Sequence, residues 1–543
     1  MAANQHYYGL VDIGSNGIRF SISDLSPTTA RNLPVIFQDR SGISLYDAQH
    51  STEIRTPIPS DVITEVISAL RRFKTICQDF GVQNDRITIV ATEATRNAAN
   101  RDDFLRDIKR TTGWGVRLLA KEEEGRLGAL GIASSNAHVN GICLDMGGGS
   151  VQLTWVATNS NELIDMGPSV SLPYGAAALM SRFSTATSVE EQDINTEIAS
   201  KVQHALEEDL QIPAEHWKMA KDTGGFDLYL SGGGFRGWGY ILMSQDSVQP
   251  YPIPVINGYT VSESRFYSAL EVNSTTPSVF RISSRRASQV PAVKAVVKAL
   301  KAVQLPISQV TFVQGGVREG LLYSDLPDAT RIQDPLIAST SPYAPPSAAK
   351  LTQLLCGAVP ISQGKLALQA AVNLLYVHGP LPKDIRAAAA LRCTTTGILA
   401  GTHGLSHGDR WILALILCER WGGDLTGGDI PFLQSLETLS GSFSWWTKLI
   451  GRLAGGIADL FPAGIVRDNE QIIDIQSGFP EGENEWSADS FWIKITVFQE
   501  IFIHSVKAWA KHLEKHGKKK NSRGGMKIEV TVTLADQSVL REG

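Results

Sequence analysis

Two short stretches of this sequence repeat one plan. Residues 10–17 read Leu-Val-Asp-Ile-Gly-Ser-Asn-Gly, and residues 143–150 read Cys-Leu-Asp-Met-Gly-Gly-Gly-Ser. In each, an apolar run ends at an aspartate (Asp12, Asp145), and x-Gly, a tight turn with a hydroxyl and a second run follow. Glycine lets backbone N–H groups come close to phosphate oxygens. Gly14 and Asn16 in the first stretch, and Gly147, Gly148 and Gly149 in the second, can form such cradles, with Ser15 and Ser150 adding hydroxyl donors. The carboxylates of Asp12 and Asp145 suit Mg²⁺, a hard cation that takes oxygen ligands beside phosphate. Two such hairpins facing each other would grip a phosphate chain from both sides of a cleft. Taken singly, each is equally an ordinary hairpin turn closed by Asn-Gly or Gly-Gly. The matched aspartates lie about one domain's length apart, which favours one device used twice.

The elements that must position these turns alternate. Strands at 7–11 and 18–22 flank the first turn; a helix over 61–80 follows, with Val62, Val66, Ala69 and Phe73 on one stripe. A strand at 86–91, a helix over 101–112, a strand at 116–119 and a helix over 122–132 complete the first block. The second block has strands at 142–144 and 151–156, helices near 175–183 and 189–210, a strand at 226–230, a helix near 290–303 and a strand at 310–313. This alternation predicts α/β layers with a mixed sheet. Residues 324–350 are rich in Pro, Ser, Ala and Thr without a sustained period and read as a linker. Helices are expected beyond it over 351–377, 384–400 and 410–421, with a last helical stripe ending at Leu513 and a strand around 528–534. The resulting division is a first lobe over 1–137, a second over 138–325, a linker over 326–350, and a mainly helical domain over 351–543. The basic run Lys518, Lys519, Lys520 and Arg523, set among glycines, reads as a solvated loop rather than a nucleic-acid patch.

Five stretches together carry a family resemblance: Asp12-Ile13-Gly14-Ser15-Asn16 with Arg19; 91–96 (ATEATR); 123–126 (EEGR); 145–150 (DMGGGS); and 315–320 (GGVREG). In this order, over roughly residues 7–323, the chain resembles the exopolyphosphatase/guanosine pentaphosphate phosphohydrolase (Ppx/GppA) family. The wording of 11–23, 39–47, 91–97 and 170–176 is most similar to its fungal members in retrograde regulation, which signal from mitochondria to nucleus. The resemblance implies the duplicated actin/hexokinase/Hsp70-type (ribonuclease H-like) architecture, two α/β lobes around a cleft. It also implies Glu124 as the general base on water, Asp145 beside it, Arg96 and Arg19 facing phosphate, and Mg²⁺ as cofactor. Hydrolysis of a phosphoanhydride needs little more than a positioned nucleophile and neutralised phosphoryl oxygens. The plainer readings are that Glu122, Glu123 and Glu124 are acids at a helix start and that each arginine is in a surface ion pair.

One departure bears on activity. The active hydrolases usually read D-x-G-G-G-S-x-E, whereas this chain has Gln152 in the last position. An amide keeps a carbonyl ligand but loses a negative charge, which weakens a Mg²⁺ site and its electrostatic help. A third glycine cluster, Gly232, Gly233 and Gly234, follows the strand at 226–230 and satisfies G-x-G-x-x-G with Gly237. The acid a dinucleotide site needs about 20 residues later is missing around Asn257. In the duplicated fold this turn would lie where an adenosine or distal phosphate passes, with Trp238 and Tyr240 read as core residues. His403, His407 and Asp409 have Gly404 and Gly408 between them and read as surface-loop residues. Longer family members append a metal-binding helical domain; Cys393-Thr394-Thr395-Thr396 stands where its histidines are expected, so no metal site is carried over and a docking or dimerisation role fits better.

Composition bounds the rest. The 543 residues are 43% hydrophobic and 19% charged, with 50 Lys and Arg against 55 Asp and Glu, a net charge of −5. No basic excess draws the chain to nucleic acid or to anionic lipid. Five scattered cysteines and the lack of a leader or of an apolar run of about 18 residues predict a soluble, cytoplasmic protein. The expected function is a phosphate- or nucleotide-binding regulator with weak or lost hydrolysis, working with regulatory protein partners and open to homodimer formation. The alternative is an active exopolyphosphatase or nucleotide phosphohydrolase. A sugar kinase ranks last, because Ser15-Asn16 stand where its threonine belongs.

Overall fold

The hairpin around Asp12 seeds the first sheet. In the computed structural model, which describes residues 4–50, 55–271, 284–360, 364–467, 471–483, 487–517 and 525–535, β1 (Tyr7–Gly14) turns through Ser15-Asn16 into antiparallel β2 (Gly17–Asp24). β3 (Val35–Ser41) adds antiparallel to β2; β4 (Ile87–Ala91) and β5 (Val116–Leu118) add in parallel on the other side of β1, giving the order β3-β2-β1-β4-β5. Parallel strands need long crossovers, and the helices Ser60–Asp79 and Arg101–Thr112 lie in them. The first buries Val66, Leu70, Phe73 and Cys77, one stripe at helical spacing, against the sheet core around Ile13, Phe20 and Ile22.

The second sheet starts the same way. β6 (Asn140–Met146) turns into antiparallel β7 (Val151–Thr158), and β8 (Ile164–Met166) and β9 (Val170–Leu172) both pair with β7. β10 (Phe226–Ser231) runs parallel to β6, β11 (Tyr259–Ser262) forms an edge, and β12 (Ile307–Phe312) runs parallel to β10. The order is β11-β12-β10-β6-β7-β8. Without the β11 edge, β8-β7-β6-β10-β12 repeats the first sheet strand for strand and in direction. Two ribonuclease H-like sheets of one topology are therefore present, as the repeated turns predict.

Both sheets belong to one compact unit, made of Met1–Asp246, Ile256–Pro335 and Gly401–Ser406. A second unit comprises Ser247–Val255, Leu336–Ala400 and His407–Gly543. The stretch read as a linker is helical in part, with Asp328–Arg331, Pro335–Thr340 and the start of Ala348–Ala358. The helix expected over 351–377 is instead two, Ala348–Ala358 and Lys365–Asn373, with Pro360 between them. That expected over 384–400 is short, Arg386–Leu391. The longer helices of this unit are His407–Arg420, Ile430–Ser440, Phe443–Leu460 and Ile503–Gly517. The strand expected near the end has company: β13 (Ile473–Gly478), β14 (Ser490–Val497) and β15 (Lys527–Leu534) form a three-stranded sheet. The basic run 518–523 lies outside the described residues. No helix among the described residues is long and apolar enough to cross a membrane, and all five cysteines are free thiols.

Phe73 joins helix to sheet, its ring 5.0 Å from Phe20 and 6.3 Å from Trp114. Phe73→Ala should destabilise the first unit by about 3–5 kcal/mol, read as a lowered melting transition in calorimetry; an unchanged transition would contradict this packing.

Candidate functional site

Strand register decides which side chains stand together. Across the first hairpin Asp12 pairs with Arg19, and across the second Asp145 pairs with Gln152. Directly opposed residues project to the same face of a sheet. Asp12 Oδ2 is 3.6 Å from Arg19 Nη1, while Asp145 has a neutral amide for its neighbour.

The tips of the two hairpins meet. A Cβ at Gly148 would stand 2.6 Å from Asn16 Nδ2, and one at Gly149 would overlap the Glu93 carboxylate. Glycine at both positions leaves room for these two side chains against the second turn. Glu93 opens the short helix Glu93–Arg96 after β4 and accepts a hydrogen bond from Ser15 Oγ at 3.2 Å. It therefore touches both turns. Gly232 is bridged to Met146 and lies against the Asp145 carboxylate. Gly232, Gly233 and Gly234 form not a free loop but the first turn of the helix Gly232–Ser244, whose unpaired N–H groups favour anions. Trp238 and Tyr240, further along that helix, are core residues, 1% and 3% exposed.

The helix Lys121–Ala133 brings Glu124 to the same place. Arg96 Nη1 donates to Glu124 Oε2 at 3.0 Å and to the Leu119 carbonyl at 2.7 Å, while Arg96 Nε and Nη2 are buried without a hydrogen-bond partner. Burial pushes the Glu124 carboxyl up to about 7; the Arg96 ion pair opposes that rise, and Asp12 and Asp145 add to it. Enclosure pushes Asp145 up to about 6, opposed by Arg19 and reinforced by Asp12 and Glu319. Glu319, in the helix Val317–Ser324, accepts from the Gly316 N–H at 3.0 Å. Asp12, Glu124, Asp145 and Glu319 thus share one electrostatic field, fed by elements of both sheets. Among the described residues, no group of three or more His, Cys, Asp or Glu forms a metal-binding cluster.

Gln152 is buried. Its Nε2 donates to Ser150 Oγ at 3.1 Å and Ser171 Oγ at 3.0 Å, and its Oε1 has no partner. Near the first turn, Arg286 is pulled below its usual value by burial and then by Arg236, Arg40 and Arg19, so four arginines repel one another there. The sequence assigns no role to Glu93 or Glu319, although both stand inside the stretches that carry the family resemblance. Arg40, Arg236 and Arg286 come from three distant stretches and carry no local signal.

The histidines of the C-terminal third are not loose surface groups. His403 Nε2 is 2.7 Å from Ser134 Oγ, and burial lowers its pKa to about 4. His407 is buried, 2.7 Å from the Tyr251 hydroxyl and 3.0 Å from the Val255 carbonyl, and burial lowers it to about 3. Gly404, between them, lies against Pro335, and each imidazole is held by specific partners.

The raised carboxyls fix a sign for stability. Between the ordinary value of 4.5 and about 7, the native chain holds a proton on Glu124 that the unfolded chain has released, so stability is lost as pH rises through that window. Across it, each tenfold drop in proton concentration removes up to about 1.4 kcal/mol. The melting temperature of Glu124→Gln should therefore vary less between pH 5 and 8 than that of the wild type. Asp145→Asn should flatten the profile between pH 4 and 6 in the same way. Parallel profiles for wild type and variants would refute the assignment.

Residues 24–329 match the Ppx/GppA phosphatase family, and residues 334–537 match the RTG2 C-terminal domain. The chain is 41% identical over 488 residues to Retrograde regulation protein 2 of Saccharomyces cerevisiae, covering 85% of this chain and 82% of that protein. It is 23% identical over 150 residues to a bifunctional 3-dehydroquinate synthase/phosphatase of Fusobacterium nucleatum, covering 26% of this chain and 22% of that one. Among solved structures, a Ppx/GppA enzyme of Aquifex aeolicus aligns at 24% identity over 59% of this chain and 99% of its own, with a TM-score of 0.45. An exopolyphosphatase of Cytophaga hutchinsonii aligns at 17% identity over 59% and 97%, with a TM-score of 0.44.

Proposed function

This chain belongs to the Ppx/GppA phosphatase family, and we propose that within it the chain is a cytoplasmic regulator that binds a phosphate chain or nucleotide and hydrolyses it weakly or not at all. The observation that carries the reading is Gln152 beside Asp145, where the resemblance implies a glutamate. Its similarity to a retrograde regulation protein over most of both lengths supports a regulatory role and protein partners. Ligand binding between the two sheets would favour one arrangement of the lobes over another, a population shift set by differential affinity.

The residues that hold the ligand in this reading are those of the two turns: Asp12, Gly14, Ser15, Asn16 and Arg19 on one side, and Asp145 to Ser150 with Gln152 on the other. The helix start at Gly232, Gly233 and Gly234 receives a distal phosphate, and Arg96 offers its two unpartnered donors. Asp12 and Asp145 fit Mg²⁺: burial, with Asp12 and Glu319 adding to it, raises Asp145 toward protonation, a cost a divalent cation removes. Two carboxylates with phosphate oxygens and water make a usual Mg²⁺ shell. Bound there, the ion would neutralise phosphoryl oxygens.

One observation favours the second reading, an active phosphoanhydride hydrolase. Glu124 titrates near 7, where a carboxylate is a competent general base on water, and it adjoins Arg96. Phosphate release from polyphosphate, guanosine tetra- and pentaphosphate and ATP separates the two. The regulator reading expects release well below about 1 per second. Faster release, rising with pH through about 7 and lost in Glu124→Gln, would establish the hydrolase instead.

Two further outcomes test the site. Gln152→Glu should raise hydrolysis and sharpen its dependence on Mg²⁺, because the Ser150 and Ser171 hydroxyls can turn to donate to the new carboxylate. Unchanged rates would count against the electrostatic role of the amide. Thermal stabilisation by nucleotide or polyphosphate should vanish in the Asp12→Ala, Asp145→Ala double variant; a persisting shift would place the ligand elsewhere.

A further inference from the structure

The second unit contains a cavity of about 790 Å³, within the size range of small-molecule sites. Its walls come from three helices, His407–Arg420, Phe443–Leu460 and Ile503–Gly517, and from Gly422 just beyond the first. The helices are held close by small residues: the indole of Trp509 lies on Gly456, and its Nε1 donates to the Arg452 carbonyl at 3.2 Å. Beyond that contact they leave the cavity between them.

Its charges are unevenly matched. Arg452 and Glu419 neutralise each other, with Nε 2.6 Å from Oε1. Arg420 is different. Its side chain is 9% exposed, its Nε is buried with no hydrogen-bond partner, and its guanidinium lies 4.0 Å over the Trp421 ring. The nearest carboxylate, Asp459, is 4.0 Å from Nη1 and 81% exposed, a weak screened partner. Lys515 and His512 line the same cavity, so Arg420, Arg452 and Lys515 face only Glu419 and Asp459. Burial pulls the Arg420 guanidinium below its ordinary value, with Asp459 acting the other way. A buried cation stacked on an aromatic ring with donors to spare lacks an anion, and a planar guanidinium suits carboxylate or phosphate oxygens. Leu460, Phe502, Val506 and Trp509 supply apolar wall.

We propose that this cavity is a ligand site, separate from the turns of the first unit, for a small organic anion whose carboxylate or phosphate head meets Arg420 and Lys515 and whose apolar body covers Leu460, Val506 and Trp509. The site lies in the stretch that matches the RTG2 C-terminal domain, so it supplies this unit with an input of its own.

Calorimetric titration of the full chain with phenyl phosphate, 3-phenylpropionate and the neutral 3-phenylpropanol tests this. At least one anion should bind saturably and at least about tenfold tighter than the alcohol, as a charge-assisted hydrogen bond requires. The tighter of the two anions identifies the head group. Arg420→Gln should weaken that binding about tenfold or more, and Lys515→Ala, at a position that tolerates change, about threefold; if Arg420→Gln does not fold, Lys515→Ala decides. The Asp12→Ala, Asp145→Ala double variant should bind the probe as the wild type does. Equal affinity for anions and alcohol, or unchanged affinity in Lys515→Ala and in any folded Arg420→Gln, would overturn the proposal and leave Arg420 as packing on Trp421. So would loss of binding in the double variant, which would place the probe in the first unit.

Discussion

The site depends on a place where side chains are missing. Gly148 and Gly149 present bare backbone to Asn16 and Glu93, and a methyl at either would overlap those side chains and force them to move. Because the turns touch, carboxylates from the two sheets crowd into one field. Burial raises Asp145 and Glu124, and Asp12 adds to the first rise while both aspartates add to the second. Like charges so close cannot all remain ionised in a poorly solvated pocket. The opposing cations both come from the first sheet: Arg19 of the first hairpin lowers Asp145 of the second, and Arg96, after β4, holds Glu124 of a later helix. The field is thus a product of the close approach, and either hairpin alone would lack it.

What was legible in the sequence follows from how local the causes are. A short turn between strands, two residues at Ser15-Asn16 and four at 147–150, fixes register by itself, so the neighbours of Asp12 and Asp145 were set by the sequence around each turn. Recognising the same turn twice gives a duplicated sheet, and both sheets do follow one order. Legibility ends where packing at long sequence separation decides. Three glycines in a row predict a loop, because glycine is poor in helix interiors. Gly232 instead opens a helix at a positive φ, its backbone packed against Met146 and the Asp145 carboxylate. Glu93 looks like one more acid on a short helix, until the second turn arrives from about fifty residues later. His403 and His407 sit among glycines and still become held groups, half-buried and buried respectively, because Ser134, Tyr251 and Val255 come to meet them.

The second unit shows the same limit. Alternation at Ile528, Val530 and Val532 identified β15, and the equally regular Phe491, Ile493, Ile495 and Val497 make β14 its partner. Arg420 reads as the charged end of an apolar helix. Only the convergence of three helices reveals that its guanidinium is enclosed and short of an acceptor.

On the proposed function, Gln152 would have opposite consequences for binding and for turnover. An amide in place of a carboxylate removes one negative charge beside Asp145. A bound phosphate chain is itself anionic, so the removal lessens repulsion in the ground state. In the transition state the demand is different: charge shifts on the phosphoryl oxygens and the leaving oxygen must be met by cations, and a divalent ion is held less firmly when its surroundings lose a carboxylate. Interactions that favour the bound ligand without favouring its reaction give affinity and no rate. On the proposed function, a cleft that keeps Asp12, Glu124 and Asp145 and has, in place of the family's glutamate, an amide tied to Ser150 and Ser171 would hold a phosphate chain more readily than it cuts it. For a hydrolase that bias is a defect. For a protein whose output is the ligand-bound conformation it lengthens the life of the signal, because the ligand leaves by dissociation and not by reaction.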